Sequence, residues 1–309
     1  MLITEPMMSA KSRLLSAALV FGLMAAAPAL AQDAQTAAEN PLPPMQSWSF
    51  AGPFGKYDTQ QLQRGYQVYK TVCSNCHSMK DVAFRNLADP GGPEFSASQV
   101  KALAATYQIT DGVDDSGNPA QRPGRPSDYF PSPFPNDAAA RAANGGALPP
   151  DMSVLAKARS YERGGAWFVT EPFTQYQEEG PDYIHALLNG FEDKPPEGFK
   201  LPEGKYYNVY FPGHAISMPP PLSDGVVDYT DGSPKTVAQY SKDIAAFLQW
   251  AAEPKLDQRK QTGFNAVVFL IVFAGLLYYV KRKIWAGVKD ASGTEGVGLA
   301  PATGPRPRV

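Results

Sequence analysis

Two cysteines and a histidine within five residues, Cys73-Ser74-Asn75-Cys76-His77, constrain this chain more than any other feature in it. These are its only cysteines, and His77 is one of three histidines. A Cys-x-x-Cys-His run is the attachment signature of c-type haem. Each thiol can add across a vinyl group of the porphyrin, so that two thioether bonds anchor it. One turn of helix then sets both sulfurs along one edge of the ring, with the His77 imidazole over its centre as proximal iron ligand. A structural zinc site needs about four ligands, and there is no second cysteine pair. A redox dithiol is the open alternative, against which the adjacent histidine and the export signal described below weigh. The motif therefore points to one covalently bound haem c.

The N-terminus supports that reading. Lys11 and Arg13 precede an apolar run over residues 14–27, and Ala29-Leu30-Ala31 forms a small-x-small cleavage site. The run is short for a bilayer span of about 20 residues, so residues 1–31 are expected to be a signal peptide cleaved after Ala31. Glu5 fits poorly in a positive leader, which suggests that translation starts at Met8. Thirty prolines and 27 glycines imply much loop-built structure. A c-type domain tolerates this, because the attached macrocycle supplies part of its core.

Residues 32–53, rich in Ala, Gln and Pro, are expected to form an extended arm. Helical spacing follows over 59–72, with Leu62, Tyr66, Tyr69 and Val72 near one face. Gly65 and Tyr69 lie eight and four residues before Cys73, a placement that resembles the N-terminal helix of class I cytochromes c, where a small residue permits a close helix crossing. The haem-binding helix is expected to end over 80–87, before the Asp89-Pro90-Gly91-Gly92 turn. Further helices are expected over 98–107, 136–144, 151–162 (capped by Asp151 after Pro149-Pro150) and 181–189. Residues 110–135 show no period and are predicted to be a long loop, packed over a ligand by Tyr129, Phe130 and Phe134. A second loop is predicted over 164–180, carrying Trp167, Phe168 and Phe173. Residues 237–252 form an amphipathic helix whose Ile244, Phe247 and Leu248 are placed to cross the Gly65–Tyr69 helix. Residues 263–280 hold 18 positions without a charge, ~27 Å of helix and close to a bilayer core. Lys281-Arg282-Lys283 and Trp285 follow and mark the cytoplasmic end.

A closed electron-transfer haem needs a sixth ligand. Met79 is held on the proximal side, Met152 suits core packing, and His185 sits within a helix. Met218 precedes Pro219-Pro220-Pro221, which stiffen the chain in an extended form able to span a distal face. His214, four residues earlier, competes with it, since His/Met and His/His are the usual axial pairs.

Several motifs together resemble the cytochrome c1 family, over residues 50–285. They are Val72-Cys73-Ser74-Asn75-Cys76-His77-Ser78-Met79, Ser127-Asp128-Tyr129-Phe130-Pro131, Gly146-Ala147-Leu148-Pro149-Pro150-Asp151, Phe211-Pro212-Gly213, Met218-Pro219-Pro220-Pro221-Leu222 and Trp250-Ala251-Ala252-Glu253-Pro254. The resemblance implies that Met218 is the distal ligand and that Arg159 and Tyr183 meet a haem propionate, a pairing reasonable on charge grounds. It implies an all-α, class I cytochrome c-like haem domain with long irregular loops and one C-terminal transmembrane helix. The chain departs from mitochondrial members over residues 161–180, an apparent insertion, and lacks the extra disulfide of some bacterial relatives.

The organisation expected is a signal peptide (1–31), a periplasmic haem domain (32–254), a transmembrane anchor (263–283) and a cytoplasmic tail (284–309), in a bacterial inner membrane. By the resemblance, the chain is the electron-transfer subunit of a ubiquinol–cytochrome c reductase and not catalytic alone. Its partners would be cytochrome b, the Rieske iron–sulfur protein as donor and a cytochrome c as acceptor, within a dimeric complex and without nucleic acid. An independent membrane-anchored shuttle and a haem enzyme with an open sixth site are the alternatives; such enzymes mostly carry more than one haem motif. Between residues 32 and 254, 17 Lys and Arg face 26 Asp and Glu, leaving this domain nine charges negative. An acidic domain can steer a basic partner, with candidate clusters at Asp111/Asp114/Asp115, Glu178/Glu179/Asp182 and Glu192/Asp193/Glu197.

Overall fold

The computed structural model of the chain describes residues 40–113, 115–161 and 179–293, with side chains to residue 286. The stretch expected to be a signal peptide, Asp114, Glu178, most of residues 161–180 with Trp167, Phe168 and Phe173, and the last residues of the chain lie outside the described residues. Helix α1, Thr59–Thr71, starts where the Asp58 carboxylate accepts from the backbone N–H groups of Gln60 and Gln61, satisfying donors that a helix N-terminus leaves free. Its Leu62, Tyr66 and Tyr69 are buried, as their spacing predicts. Helix α2, Ala97–Ala104, opens on a Ser96/Gln99 capping box. Strands β1, Gln108–Val113, and β2, Pro119–Pro123, form an antiparallel hairpin. Three helices follow: α3, Asp137–Ala143, capped by Asn136; α4, Leu155–Ala158; and α5, Glu179–Asn189. The two-residue strands β3, Tyr206–Tyr207, and β4, Ala215–Ile216, pair antiparallel ahead of α6, Val237–Ala252, and α7, Leu256–Gly293. The chain divides into two units between Asp257 and Gln258.

The first unit closes by a crossing of α1 over α6. A Cβ on Gly65 would stand 2.2 Å from the Asp243 carbonyl oxygen and 2.6 Å from Phe247 Cβ, so only glycine permits this approach. Ile244, Phe247 and Leu248 are buried at the crossing. Aromatic rings fill the core beside it: Tyr69 meets Phe130 edge-on at 5.8 Å, and Phe84 lies 4.4 Å from Phe130. The fully buried Asp243 accepts from Arg64 Nε at 3.0 Å and from the Tyr229 hydroxyl at 2.9 Å, so the charge is both paired and hydrogen-bonded.

Three expectations need correction. The predicted 151–162 helix exists only as α4 among the described residues: Asp151 accepts from the Ser153 N–H but is also held by Ser78 and Lys80, and residues 152–154 form a turn before the helix. The cysteine turn does not continue as a helix towards residue 87; a single turn at Cys73–Asn75 and another at Phe84–Ala88 are separated by irregular chain. The 110–135 stretch is not all loop. Arg122 of β2 pairs with Asp111 of β1 at 2.5 Å and with Asp128 at 2.6 Å, fixing a hairpin that has no apolar face. Of the rings predicted to pack there, Phe130 is buried, Phe134 is half-buried and Tyr129 is exposed. The described part of the arm, from residue 40, is extended as expected, and it is docked. The Gln46 N–H and Trp48 Nε1 donate to the buried Asp182 carboxylate at 2.9 and 2.8 Å, docking the arm onto α5.

Helix α7 spans about 57 Å at 1.5 Å per residue. The stretch Leu256–Ala286 contains an 18-residue window with a mean hydropathy of 2.1, and none of that window is buried. By length and composition it can cross a membrane.

Candidate haem site

The site begins where α1 runs out. After Thr71 the chain tightens into one turn, in which the Cys76 and His77 N–H groups both donate to the Cys73 carbonyl, at 3.1 and 2.9 Å. This folds the five-residue motif onto itself. Neither thiol is in a disulfide. Cys76 is exposed, whereas Cys73 packs against the core. That burial pushes the Cys73 thiol up to about 12, with neighbouring Cys76 adding to the shift.

His77 is buried, and its Nδ1 lies 2.8 Å from the carbonyl oxygen of Pro150. A carbonyl can only accept, so Nδ1 carries the proton and the Nε2 lone pair is left for a metal. Burial lowers the basicity of the ring, outweighing the Pro150 carbonyl and the nearby Asp151 charge, which act the other way. The imidazole is thus kept neutral, the form that ligates.

A strip over residues 150–153 staples the chain beyond His77. Ser78 Oγ donates to Asp151 at 2.7 Å, and the Lys80 N–H to the same carboxylate at 3.1 Å. The Met152 N–H donates to the Ser78 carbonyl at 2.8 Å, and the Asp81 N–H to Ser153 Oγ at 3.0 Å. Burial works to raise the Asp151 carboxyl, but hydrogen bonds from Ser153, Ser78 and Lys80 prevail and hold it below the ordinary range.

Met218 is half-buried just beyond β4. The loop that carries it is built on Asn208, which is fully buried. The Asn208 side chain donates to the Leu187 carbonyl at 2.7 Å and accepts from the Tyr210 and Phe211 N–H groups. The Val209 N–H donates to the Gly190 carbonyl at 2.8 Å, so the loop is fastened to the C-terminus of α5. His214 holds a left-handed backbone (φ 58°). Its ring stacks on Tyr207 at 5.6 Å, with Nδ1 3.2 Å from the Asn208 carbonyl.

Arg159, exposed after α4, exerts its charge on Tyr183 of α5: burial raises the Tyr183 hydroxyl and Arg159 pulls it part of the way back. These two are brought together. No hydrogen bond among the described residues joins either of them, or Met218, to the Cys73–His77 turn. Of the remaining candidates, Met79 and Met152 are buried in the core. His185 Nδ1 lies 2.9 Å from Ser241 Oγ, tying α5 to α6. Pro150, Asp151 and Asn208 were not singled out for these roles; the Pro149-Pro150-Asp151 run was the one available signal.

The acidic clusters separate. Asp111 is paired with Arg122 and Asp182 is interior, so neither offers free surface charge. Glu192, Asp193 and Glu197 are exposed between α5 and β3.

The donor set fits a covalently attached haem: two unpaired thiols on one turn, and a neutral imidazole with its tautomer fixed. Among the described residues no group of three or more His, Cys, Asp or Glu could hold a bare metal ion. Comparison with known proteins agrees. The family model described as Cytochrome C1 family matches residues 48–288. Cytochrome b/c1 of Bradyrhizobium diazoefficiens is 62% identical over 255 residues, which is 82% of this chain and 37% of that protein, so the chain spans little more than a third of that relative. Cytochrome c1 of Blastochloris viridis is 53% identical over 277 residues, 89% of this chain and 95% of the relative. A Candida albicans protein named cytochrome b-c1 complex catalytic subunit, mitochondrial, is 44% identical over 259 residues, 84% of this chain and 83% of the relative.

Proposed function

Because the chain belongs to the cytochrome c1 family, we propose that it is the haem-bearing electron-transfer subunit of a ubiquinol–cytochrome c reductase. It takes electrons from a Rieske iron–sulfur protein and delivers them to a cytochrome c. The observation that carries this reading is the His77–Pro150 contact, which turns a sequence motif into a ligand with one free, basic nitrogen. When bound, haem c supplies a one-electron couple. Cys73 and Cys76 would hold it covalently, His77 and Met218 would ligate its iron, and Arg159 with Tyr183 would meet a propionate.

The polypeptide makes and breaks no substrate bond. It excludes water from the His77 side, fixes the imidazole and sets the potential; thioether sulfur favours Fe(II) and so raises it. Support for Met218 over His214 comes from the loop, where the His214 ring is already engaged with Tyr207 and Asn208. Cytochrome b is the membrane partner, within a dimeric complex, and α7 is the single anchor. Lys281-Arg282-Lys283 lies at its cytoplasmic end, leaving the haem domain in the periplasm.

The test is purification from detergent-solubilised membrane, with an optical spectrum taken with and without carbon monoxide. Co-purification with cytochrome b and a Rieske protein, and a reduced spectrum indifferent to carbon monoxide, is the expected result. Purification alone would favour an independent shuttle, and carbon monoxide binding to the native protein would mean an open sixth site.

A further inference from the structure

The hairpin that carries Met218 also carries a cation. Tyr206 pairs with Ile216, so Lys205 and Ser217 come opposite each other one position outward. The Lys205 ammonium donates to Ser217 Oγ, on the residue next to Met218. Lys205 is half-buried. Its neighbour is a hydroxyl, which accepts a hydrogen bond but neutralises nothing, and no carboxylate among the described residues pairs with it. Two other lysines of this domain do have carboxylate partners: Lys157 pairs with Glu253 and Lys235 with Asp228.

We infer that Lys205 is a positioning residue for the redox couple, holding an uncompensated positive charge beside the Met218 ligand through its hydrogen bond to Ser217. The inference rests on the reading of Met218 as the distal ligand. Oxidation of a haem iron adds a positive charge at the site. A fixed cation nearby opposes that step, and the hydrogen bond to Ser217 holds the ammonium beside Met218 rather than out in solvent, where it would be screened. At the effective dielectric of a partly buried site, one such charge shifts the reduction equilibrium by roughly three- to tenfold. A lysine that merely trimmed the hairpin edge would leave the equilibrium where it was.

The experiment is redox titration of the haem in the detergent-solubilised complex, with the sulfur–iron absorption band of the oxidised protein recorded alongside. Lys205→Gln keeps a terminal N–H donor on a side chain one atom shorter but removes the charge. It is expected to lower the reduction equilibrium constant about three- to tenfold with the band retained, while Lys205→Arg stays within about twofold of the parent. Ser217→Ala leaves the lysine in place but releases it, and is expected to move the constant in the same direction by a smaller factor. This second variant reads the charge even where Lys205→Gln does not accumulate. Titration of Lys205→Gln or Ser217→Ala with the parent overturns the inference, as does loss of the band in both Lys205 variants, which would make the side chain a mere brace. Met218→Leu, recorded in the same series, separates the two readings: a band unchanged in that variant refutes the ligand assignment itself.

Discussion

The imidazole of His77 and the carbonyl of Pro150 meet at 2.8 Å across 73 positions of sequence. Proline fixes its own φ, so this acceptor is delivered on a stiff piece of chain, and the Ser78, Lys80 and Met152 hydrogen bonds brace that piece from the other side. The orientation of the His77 ring is thus set by backbone geometry rather than by a mobile side chain.

The distal side carries the first prediction. Met218→Leu is expected to keep the haem covalently attached through Cys73 and Cys76, yet to lose the sulfur–iron band and lower the midpoint potential. His214→Ala is expected to retain the band. The opposite pattern, with the band surviving Met218→Leu and vanishing in His214→Ala, would transfer the ligand role to His214.

Gly65→Ala tests the crossing. A methyl group there meets the Asp243 carbonyl and Phe247 Cβ at distances far inside contact, so α1 and α6 must move apart. Overpacking of this kind costs about 1–3 kcal/mol, and thermal denaturation of the haem-loaded protein is expected to show a clearly lower Tm. A Tm equal to the parent's would mean the crossing is looser than described.

A third expectation concerns the acceptor. Electron transfer to a basic cytochrome c is expected to slow as ionic strength rises, and the triple change Glu192→Gln, Asp193→Asn, Glu197→Gln to flatten that dependence. The cluster is exposed and follows directly on α5, to which the Met218 loop is fastened. Stopped-flow rates over a salt series provide the measurement, and a slope unchanged by the triple variant removes the cluster from the docking surface.

Acid stability tests the hairpin. Hydrogen bonds from the Arg122 side chain and the Arg125 N–H hold the Asp128 carboxyl down to about 2. A group depressed in the folded state stabilises fully above its unfolded value, about 3.9, and that contribution disappears as pH falls towards 2. The Tm gap between the parent and Asp128→Asn is therefore expected to be constant at neutral and mildly acidic pH and to close in stronger acid. A gap that persists at the acid end would assign the effect to packing rather than charge.

Legibility in the sequence followed periodicity. Helices α1, α5, α6 and α7 announce themselves because the first three repeat apolar residues at helical spacing and α7 excludes charge over residues 263–280, and the bounds of α6 agree to the residue. Gly65 was readable because its neighbours Cys73 and Tyr69 supplied a context. The β1–β2 hairpin was not, since its residues are mostly exposed and its cohesion comes from Arg122, whose partners no local pattern names. The helix expected from Asp151 failed for a related reason: a carboxylate after two prolines looks like a cap, but this one is also held by Ser78 and Lys80, and a turn precedes the helix. Asp182 sits in an acidic run and looks solvated; the Trp48 and Gln46 donors that bury it come from a stretch without period. Pro150 acts through a backbone carbonyl, a group that every residue possesses and no motif can advertise.

The docked arm and the α1–α6 crossing also impose an order of assembly. Arg64 must find Asp243, 179 positions later, and Trp48 must find Asp182, 134 positions later. The core of a chain growing from its N-terminus therefore stays open until almost all of the domain has been made. Contacts this remote make folding slow, although the closure entropy of so long a loop rises only gently with its length. The five residues Cys73–His77 need none of those contacts to present their thiols, and so stand accessible to attachment machinery throughout the interval before the domain shuts around them.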